Sequence, residues 1–253
     1  YTLMTIGTLV FDESSYENVL CLGHILDKDG RKMSKRWGNV INPDEIVKTY
    51  GADTLRVYEM FMGPFEQTVS WSTESIIGSR RFIERVYRLT EKLVPKYTNK
   101  ETIHKTLHKT IKKVTEDIET MSFNTAVSSM MMFLNEMDKV SEISKDDFKQ
   151  FLKILSPFAP HISEELWHSL GEKKSIHQSL WPKWSPSQII DDTMTIVIQV
   201  NGKVRFELSV ESGASQKEIE EQALSSDAIT SWIKGKDIKR IVYVPRRLIN
   251  IVI

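Results

Sequence analysis

The sequence predicts a mixed chain: the end of an α/β domain, then an all-α helical bundle, then a small α+β domain of ββαββ order. Three observations carry this reading. Residues 1–74 alternate short apolar runs with turn-forming clusters. Residues 75–190 keep apolar side chains at helical spacing through several successive stretches. Residues 191–253 change to strict alternation around Asn201-Gly202, a strong hairpin signal. These limits, 1–74, 75–190 and 191–253, are the expected domains, and 253 residues are enough for two or three.

In the first segment, apolar runs at 3–10 and 19–26 flank the polar Asp12-Glu13-Ser14-Ser15. Residues 19–26 are short and almost wholly apolar, which predicts a buried strand. Asp27-Lys28-Asp29-Gly30 is a turn, and a basic loop follows over 31–36. Asn42-Pro43-Asp44 opens a helix, and helical rhythm resumes over 53–58 until Gly63-Pro64. The bundle begins with Ile76, Ile77, Phe82, Ile83, Val86, Tyr87, Leu89 and Leu93 as its apolar positions. A narrow seam follows at Ile103, Leu107, Ile111, Val114, Ile118 and Met121. Phe123 to Val140 supplies a third stripe, in which Met130, Met131, Met132 and Met137 read as core. A fourth helix covers about 145–155, and the Pro157 and Pro160 break precedes a short fifth through 161–170. Residues 180–192, with Trp181-Pro182, Trp184-Ser185-Pro186 and Asp191-Asp192, read as a linker. In the last segment Met194, Ile196, Ile198 and Val200 share one face, and Val204, Phe206, Leu208 and Val210 return beside them. Ser215 with Glu218 is a capping box, Ile219, Ala223 and Leu224 follow on one helix, Ile229 and Trp232 on another, and two strands close the chain.

Composition removes several classes of function. The single cysteine, Cys21, excludes a disulfide framework and a cysteine-rich zinc site, and fits a reducing compartment such as the cytoplasm. No apolar run approaches the ~20 residues of a membrane helix. The opening Tyr1-Thr2-Leu3-Met4 has no basic n-region and reads as an internal cut in a longer protein. Net charge is zero, yet 79–113 carries a balance of +8, 114–149 of −5 and 234–247 of +5. Two basic stretches on a neutral chain suggest local contact with a polyanion.

The sharpest chemical signal is Lys32-Met33-Ser34-Lys35-Arg36. Two ammonium groups on a loop between Gly30 and Gly38 can hold a polyphosphate and offset charge that develops as pyrophosphate leaves. His104 and His108 have the i, i+4 spacing of metal ligands, but no third ligand is near in sequence and no metal site is expected. His24 and His161 read as structural, and Trp71, Trp167, Trp181 and Trp184 as packing residues.

Together, Asp29-Gly30-Arg31-Lys32-Met33-Ser34-Lys35, Gly38-Asn39-Val40 and Asn42-Pro43 resemble the signature loop of class I aminoacyl-tRNA synthetases. Tyr50-Gly51-Ala52-Asp53-Thr54-Leu55-Arg56 is similar to the run that follows it in that family. Arg36 stands where the family usually has Ser. The leucine-specific branch is resembled by Tyr58-Glu59-Met60-Phe61-Met62-Gly63-Pro64, by Val69-Ser70-Trp71-Ser72 and by the close of the chain. The stretch 1–11 resembles the isoleucine and valine branch more closely.

The resemblance implies the C-terminal part of a leucine–tRNA ligase, with residues 1–74 as the end of its nucleotide-binding domain. It implies ATP with Mg2+, a loop binding ATP through Lys32, Met33, Ser34 and Lys35, and catalytic roles for Lys32 and Lys35. It also implies tRNA contact through Arg80, Arg81, Arg85 and Arg88, of which the last three are spaced to line up, and through Lys203, Arg205, Lys236, Lys239, Arg240, Arg246 and Arg247. Expected partners are leucine tRNA and the N-terminal catalytic part, with neither membrane nor DNA. The first-half ATP motif, the leucine pocket and the editing domain are absent from this sequence, so the chain alone is expected to be inactive. The alternatives are a non-catalytic tRNA-binding module or small subunit of a split synthetase, and an isoleucine or valine enzyme.

Overall fold

A computed structural model describes residues 1–95, 101–189 and 193–253. The chain divides into two compact units, Tyr1–Ser185 and Pro186–Ile253. The first unit begins with α1 (Thr2–Phe11), β1 (Ile25–Leu26), a 3-10 turn (Lys35–Trp37), α2 (Pro43–Tyr50) and α3 (Ala52–Phe61). Next come β2 (Val69–Ser70), parallel to β1, then α4 (Thr73–Arg88), a 3-10 turn (Leu89–Lys92) and β3 (Leu93–Val94). The unit continues with α5 (Glu101–Glu119), α6 (Phe123–Lys139), β4 (Ile143–Ser144), α7 (Lys145–Leu155) and α8 (Pro160–Ser169), and β4 pairs in parallel with β3.

Local chemistry sets the helix starts. Asn42 accepts the Asp44 N–H with Pro43 just inside α2, Ser72 accepts the Ser75 N–H of α4, and Ser144 accepts the Asp146 N–H of α7. Helix α8 has no cap from its own neighbours. Its first amides are held from α3 instead: the buried Asp53 carboxylate accepts the His161 N–H at 3.2 Å and the Ile162 N–H at 2.7 Å. A negative charge at a helix N-terminus is favourable, and more so when partly buried. Arg56, one turn along α3, donates to the Pro157 carbonyl at 3.1 Å. Residues 53–56 and 157–162, about a hundred positions apart in sequence, thus meet in space.

The bundle core is aromatic and aliphatic. Phe133, Phe148, Phe151 and Phe158 are fully buried, and the Phe133 and Phe151 rings lie 5.5 Å apart. Ile103, Leu107, Ile111 and Val114 form the buried seam expected of α5. A smaller cluster of Ile46, Tyr58, Trp71 and Ile76 packs beneath the basic loop.

Several expectations are corrected. Residues 19–26 do not form a buried strand: only Ile25–Leu26 pairs, and Val19, Leu20 and Leu22 are exposed. Gly23 explains the approach made there, since a Cβ would collide with the Gln67 carbonyl, but no layer among the described residues covers the run. Ile77 and Tyr87 lie on the solvent side of α4. Met121 leaves the α5 seam because φ there is +56° and the helix has ended. Met130 and Met137 are core, whereas Met132 is exposed. The Asp191-Asp192 pair lies outside the described residues.

The second unit contains β5 (Thr193–Val200), β6 (Lys203–Glu211), α9 (Gln216–Ser225), α10 (Asp227–Ile233), β7 (Arg240–Val244) and β8 (Leu248–Val252). Strand order is β6-β5-β8-β7, with β5 and β8 parallel at the centre. Ile196, Ile198, Val200, Val210, Ile249 and Ile251 face Ile219, Ala223 and Ile229 of the two helices. The turn uses left-handed Asn201 and Gly202, and the Ser215–Glu218 capping box is formed. Val204 departs from its expected face. A bulge puts Phe206 opposite Ile198 but Val204 opposite Gln199, so one extra residue, Arg205, reverses the alternation and leaves Val204 58% exposed.

Replacing Asp53 by Ala leaves two amides of α8 without their carboxylate. The expected cost is about 3 kcal/mol in the first unit, the upper end for hydrogen bonds to a charged group. Urea denaturation of the variant, followed through the tryptophans of that unit, checks this.

Candidate active-site loop and nucleic-acid interface

The basic loop is a small hairpin held by one carboxylate and one amide. Asp27 closes the turn: its N–H donates to the Arg31 carbonyl, and its Oδ1 accepts the Asp29 and Arg31 N–H groups at 3.0 and 2.7 Å. Gly30 occupies the left-handed region there, at φ +75°. Asn39, twelve residues on, donates from Nδ2 to Asp27 Oδ2 at 2.7 Å and to the Lys32 carbonyl at 3.3 Å, while its Oδ1 accepts the Ser34 N–H at 2.9 Å. One side chain therefore grips the loop at both Lys32 and Ser34. Ser34 Oγ caps the 3-10 turn by accepting the Arg36 N–H, and Gly38 ends it at φ +64°. Met33 packs on the Ile46, Tyr58, Trp71 and Ile76 cluster.

This anchoring leaves Lys32 and Lys35 exposed, and among the described residues neither has an ion-pair partner. Arg36 lies over the exposed Trp37 ring, 6.0 Å from its centroid. Beside the loop is a cleft of about 700 Å3 lined by Asp27, Gly38, Asn39, Ile41, Trp71 and Glu74 among others. The hydrogen bonds from Asn39 and then from the Arg31 and Asp29 amides, with the Arg31 charge, hold the Asp27 carboxyl below its ordinary value of 3.8 although burial opposes them. Asp27 and Asn39 were not singled out from sequence. They appeared there only within a turn and within a family-like run, and the signal for their anchoring role was their type, since Asp and Asn at turns accept local amides.

The basic residues of α4 differ in what they meet. Arg80 pairs with Glu84 at 2.8 Å and donates to the Tyr50 carbonyl at the end of α2. Arg85 turns to α6, where Nε donates to Asp138 at 2.9 Å and Nη2 to Asn135 at 2.7 Å. It is therefore a strut between helices: it keeps the spacing that lines it up with Arg81 and Arg88, but its guanidinium is engaged by α6. Arg81 and Arg88 are exposed with no ion-pair partner among the described residues. In the second unit Lys203, Lys239, Arg240, Arg246 and Arg247 are exposed. Arg205 lies 3.7 Å from the Trp232 ring centroid, and Lys236 donates to the Trp232 carbonyl.

The histidine pair is the remaining candidate. His104 and His108 do meet, with Nε2 atoms 3.2 Å apart, and Asp147 of α7 lies 3.1 Å from His104 Nδ1. His108 Nδ1 accepts the Ser185 N–H, which puts the neutral ring's proton on Nε2 and removes that atom as a ligand. Among the described residues no group of three or more His, Cys, Asp or Glu could hold a metal ion.

Removal of the Asn39 amide should open the loop. In Asn39→Ala, tryptic cleavage at Lys32, Lys35 or Arg36 is expected to quicken by about tenfold, as for the loss of a hydrogen bond or two. Because the Asp27 value is lowered, its contribution is full above pH 3.8 and is lost as pH falls through the lower folded value. Hydrogen exchange of the Arg31 and Ser34 amides should therefore stay slow at weakly acid pH and rise only below that limit.

Two family models match the chain. Residues 1–72 match the family described as tRNA synthetases class I (I, L, M and V), and residues 100–221 match the anticodon-binding domain of tRNA ligase. Among solved structures the chain is similar to the LeuRS agnB2 of Agrobacterium radiobacter K84, crystallised as a ternary complex with tRNA and LeuAMS. The TM-score is 0.83 and identity 26%, over 99% of this chain and 35% of that one, so the chain spans about a third of that protein's length. Among the described residues no helix is long and apolar enough to cross a membrane. Similarity to class I tRNA synthetases of the I, L, M and V kind thus covers the segment that contains the lysine loop, and similarity to the anticodon-binding domain of tRNA ligase covers the segment from residue 100 to 221.

Proposed function

We propose that the chain is the C-terminal part of a leucine–tRNA ligase and works in the cytoplasm. The observation that carries the catalytic half of this reading is the pair of exposed ammonium groups, Lys32 and Lys35, without an ion-pair partner among the described residues, on a loop whose backbone is fixed by Asn39 and Asp27. In adenylate formation an amino-acid carboxylate attacks the α-phosphorus of ATP, and pyrophosphate departs with the bonding electron pair. Lys35 would contact the phosphates, and Lys32 would meet the charge that grows on the leaving group. ATP arrives with Mg2+ as substrate, and the half-buried Met33 keeps the loop seated. The leucine branch is supported by the likeness to a LeuRS over 99% of the chain, terminal unit included.

The apolar surface of the first residues fits a second part of the enzyme. Leu9, Val10, Phe11, Val19 and Leu20 are each more than 60% exposed, more than a free surface usually presents together. We propose that the N-terminal catalytic part, with the rest of the ATP site and the leucine pocket, covers them. The tRNA is the proposed partner of Arg81 and Arg88 in the first unit and of Lys203, Lys239, Arg240, Arg246 and Arg247 in the second. Such phosphate contacts position a nucleic acid without reading its sequence.

The test is a titration of the chain with leucine tRNA and a non-cognate tRNA at several salt concentrations. Binding that favours leucine tRNA and weakens with salt supports the reading, and absence of binding at low salt overturns its tRNA half. Replacing Arg81 and Arg88 by Ala should reduce the salt slope by roughly 2, one for each lost phosphate contact. Arg85→Ala should instead lower the melting temperature, because it frees Asp138 from its strut. Leucine-dependent pyrophosphate exchange should be undetectable with the chain alone and should need the N-terminal part.

A further inference from the structure

Before the chain leaves the first unit it runs as a strap across α5. Trp181 Nε1 donates to Thr115 Oγ1 at 2.9 Å, Trp184 packs on the bundle with Lys112 Nζ 5.0 Å from its ring centroid, and the Ser185 N–H donates to His108 Nδ1 at 3.2 Å. Residues 108, 112 and 115 are spaced by 4 and 3, so they form one stripe on the helix. Ser185 is the last residue of the first unit, and Pro186 begins the second.

The contact at Ser185 depends on the position of a proton. Because His108 Nδ1 accepts, its Nε2 carries the hydrogen and donates to His104 Nε2. The hydrogen of His104 is then on Nδ1, directed at Asp147 Oδ1. Two neutral rings satisfy this chain from the Ser185 amide to the Asp147 carboxylate with one hydrogen in each gap. A third hydrogen has no place in it. Added at His108 Nδ1, it faces the Ser185 N–H directly. Added at His104 Nε2, it faces the N–H of His108, and relief of that conflict moves the His108 hydrogen to Nδ1, with the same result.

We propose that His104, His108 and Asp147 form a proton-sensitive clasp that holds the root of the tether to the terminal unit and releases it when the histidine pair gains a proton. Among the described residues, the charged groups on the segments that meet the pair are Asp147 on α7 with its neighbours Lys145, Asp146 and Lys149, Lys105, Lys109 and Lys112 on α5, and Lys183 on the strap. Lys149 is occupied by Glu172 and Lys112 lies over Trp184, so Asp147 is the acid that meets the rings. Burial and then the neighbouring His104 keep His108 below the ordinary 6.5, with Asp147 opposing, so the neutral, clasped form holds at pH 7. Sign follows from that direction: the folded state binds fewer protons at His108 than the unfolded chain, so the contribution is present above pH 6.5 and fades as pH falls below it. Opening as far as Trp181 would free four residues of the strap, Pro182 to Ser185, at about 3.3–3.6 Å each.

The test needs only this chain and does not rest on its proposed function. Hydrogen exchange of the strap, corrected for intrinsic rate, should show Ser185 protection falling about tenfold between about pH 7.5 and about pH 5.5 while the helices stay protected. The fall should share its midpoint with the His108 ring signals in NMR. His108→Asn keeps an acceptor near the Nδ1 position but cannot titrate, so its protection should change by less than about twofold over the same range. Nitrogen shifts of wild-type His108 at neutral pH should report hydrogen on Nε2. Hydrogen on Nδ1, pH-independent protection in the wild type, or an equal acid loss in His108→Asn would each overturn the proposal.

Discussion

The first unit depends on one buried carboxylate. Asp53 belongs to α3, next to the lysine loop in sequence, yet it starts α8 more than a hundred residues later. Helix α8 begins after a proline break and has no cap of its own, so its orientation is taken from α3. Arg56 fixes the turn just before it through the Pro157 carbonyl. The Tyr58 hydroxyl on the same helix accepts the Ser72 N–H that leads into α4, and its ring meets Trp71 edge-on at 5.0 Å. Helix α3 is thus the common reference for the loop and for the bundle, which makes their geometry a single problem.

The same device recurs on a smaller scale. Asp27 collects the amides of the lysine hairpin, Glu164 accepts from the Ser175 hydroxyl and Ile176 N–H, and Glu218 accepts the Ser215 N–H of the capping box. In each case an acidic side chain gathers backbone donors that no helix or sheet would satisfy. Hydrogen bonds to the ionised form hold all three carboxyls below their ordinary values, although burial opposes the shift at each. The irregular parts of the chain are therefore ordered by groups that need their charge.

Repeating patterns were legible in the sequence, and single side-chain choices were not. The α5 seam, the Asn42 and Ser215 caps and the Asn201-Gly202 hairpin each follow from local spacing, and each is present. Residues 19–26 mislead because an apolar run reports a wish for cover, and cover depends on what lies opposite. Val204 misleads because one extra residue in a strand is invisible to alternation counted from the turn. For Arg85, spacing gave the face of the helix correctly, but whether an arginine meets solvent or an Asp on the next helix is decided by packing. In the loop, Lys32 and Lys35 were found by motif, whereas Asn39, which holds them in place, has a role that appears only when its three partners are seen together.

The terminal sheet has a consequence for how the protein is made. Its first strand, β5, finds its parallel partner in its last, β8, and both lie at the centre of the sheet. During synthesis the β5–β6 hairpin and both helices are finished before that partner exists, and they hold a half-formed core with an open edge. Local contacts in the bundle can form as the ribosome advances, but this sheet must wait for residues 248–252. A chain cut short before residue 248 would carry a folded bundle attached to an unfinished, sticky sheet, so this unit is where quality control would have the most to inspect.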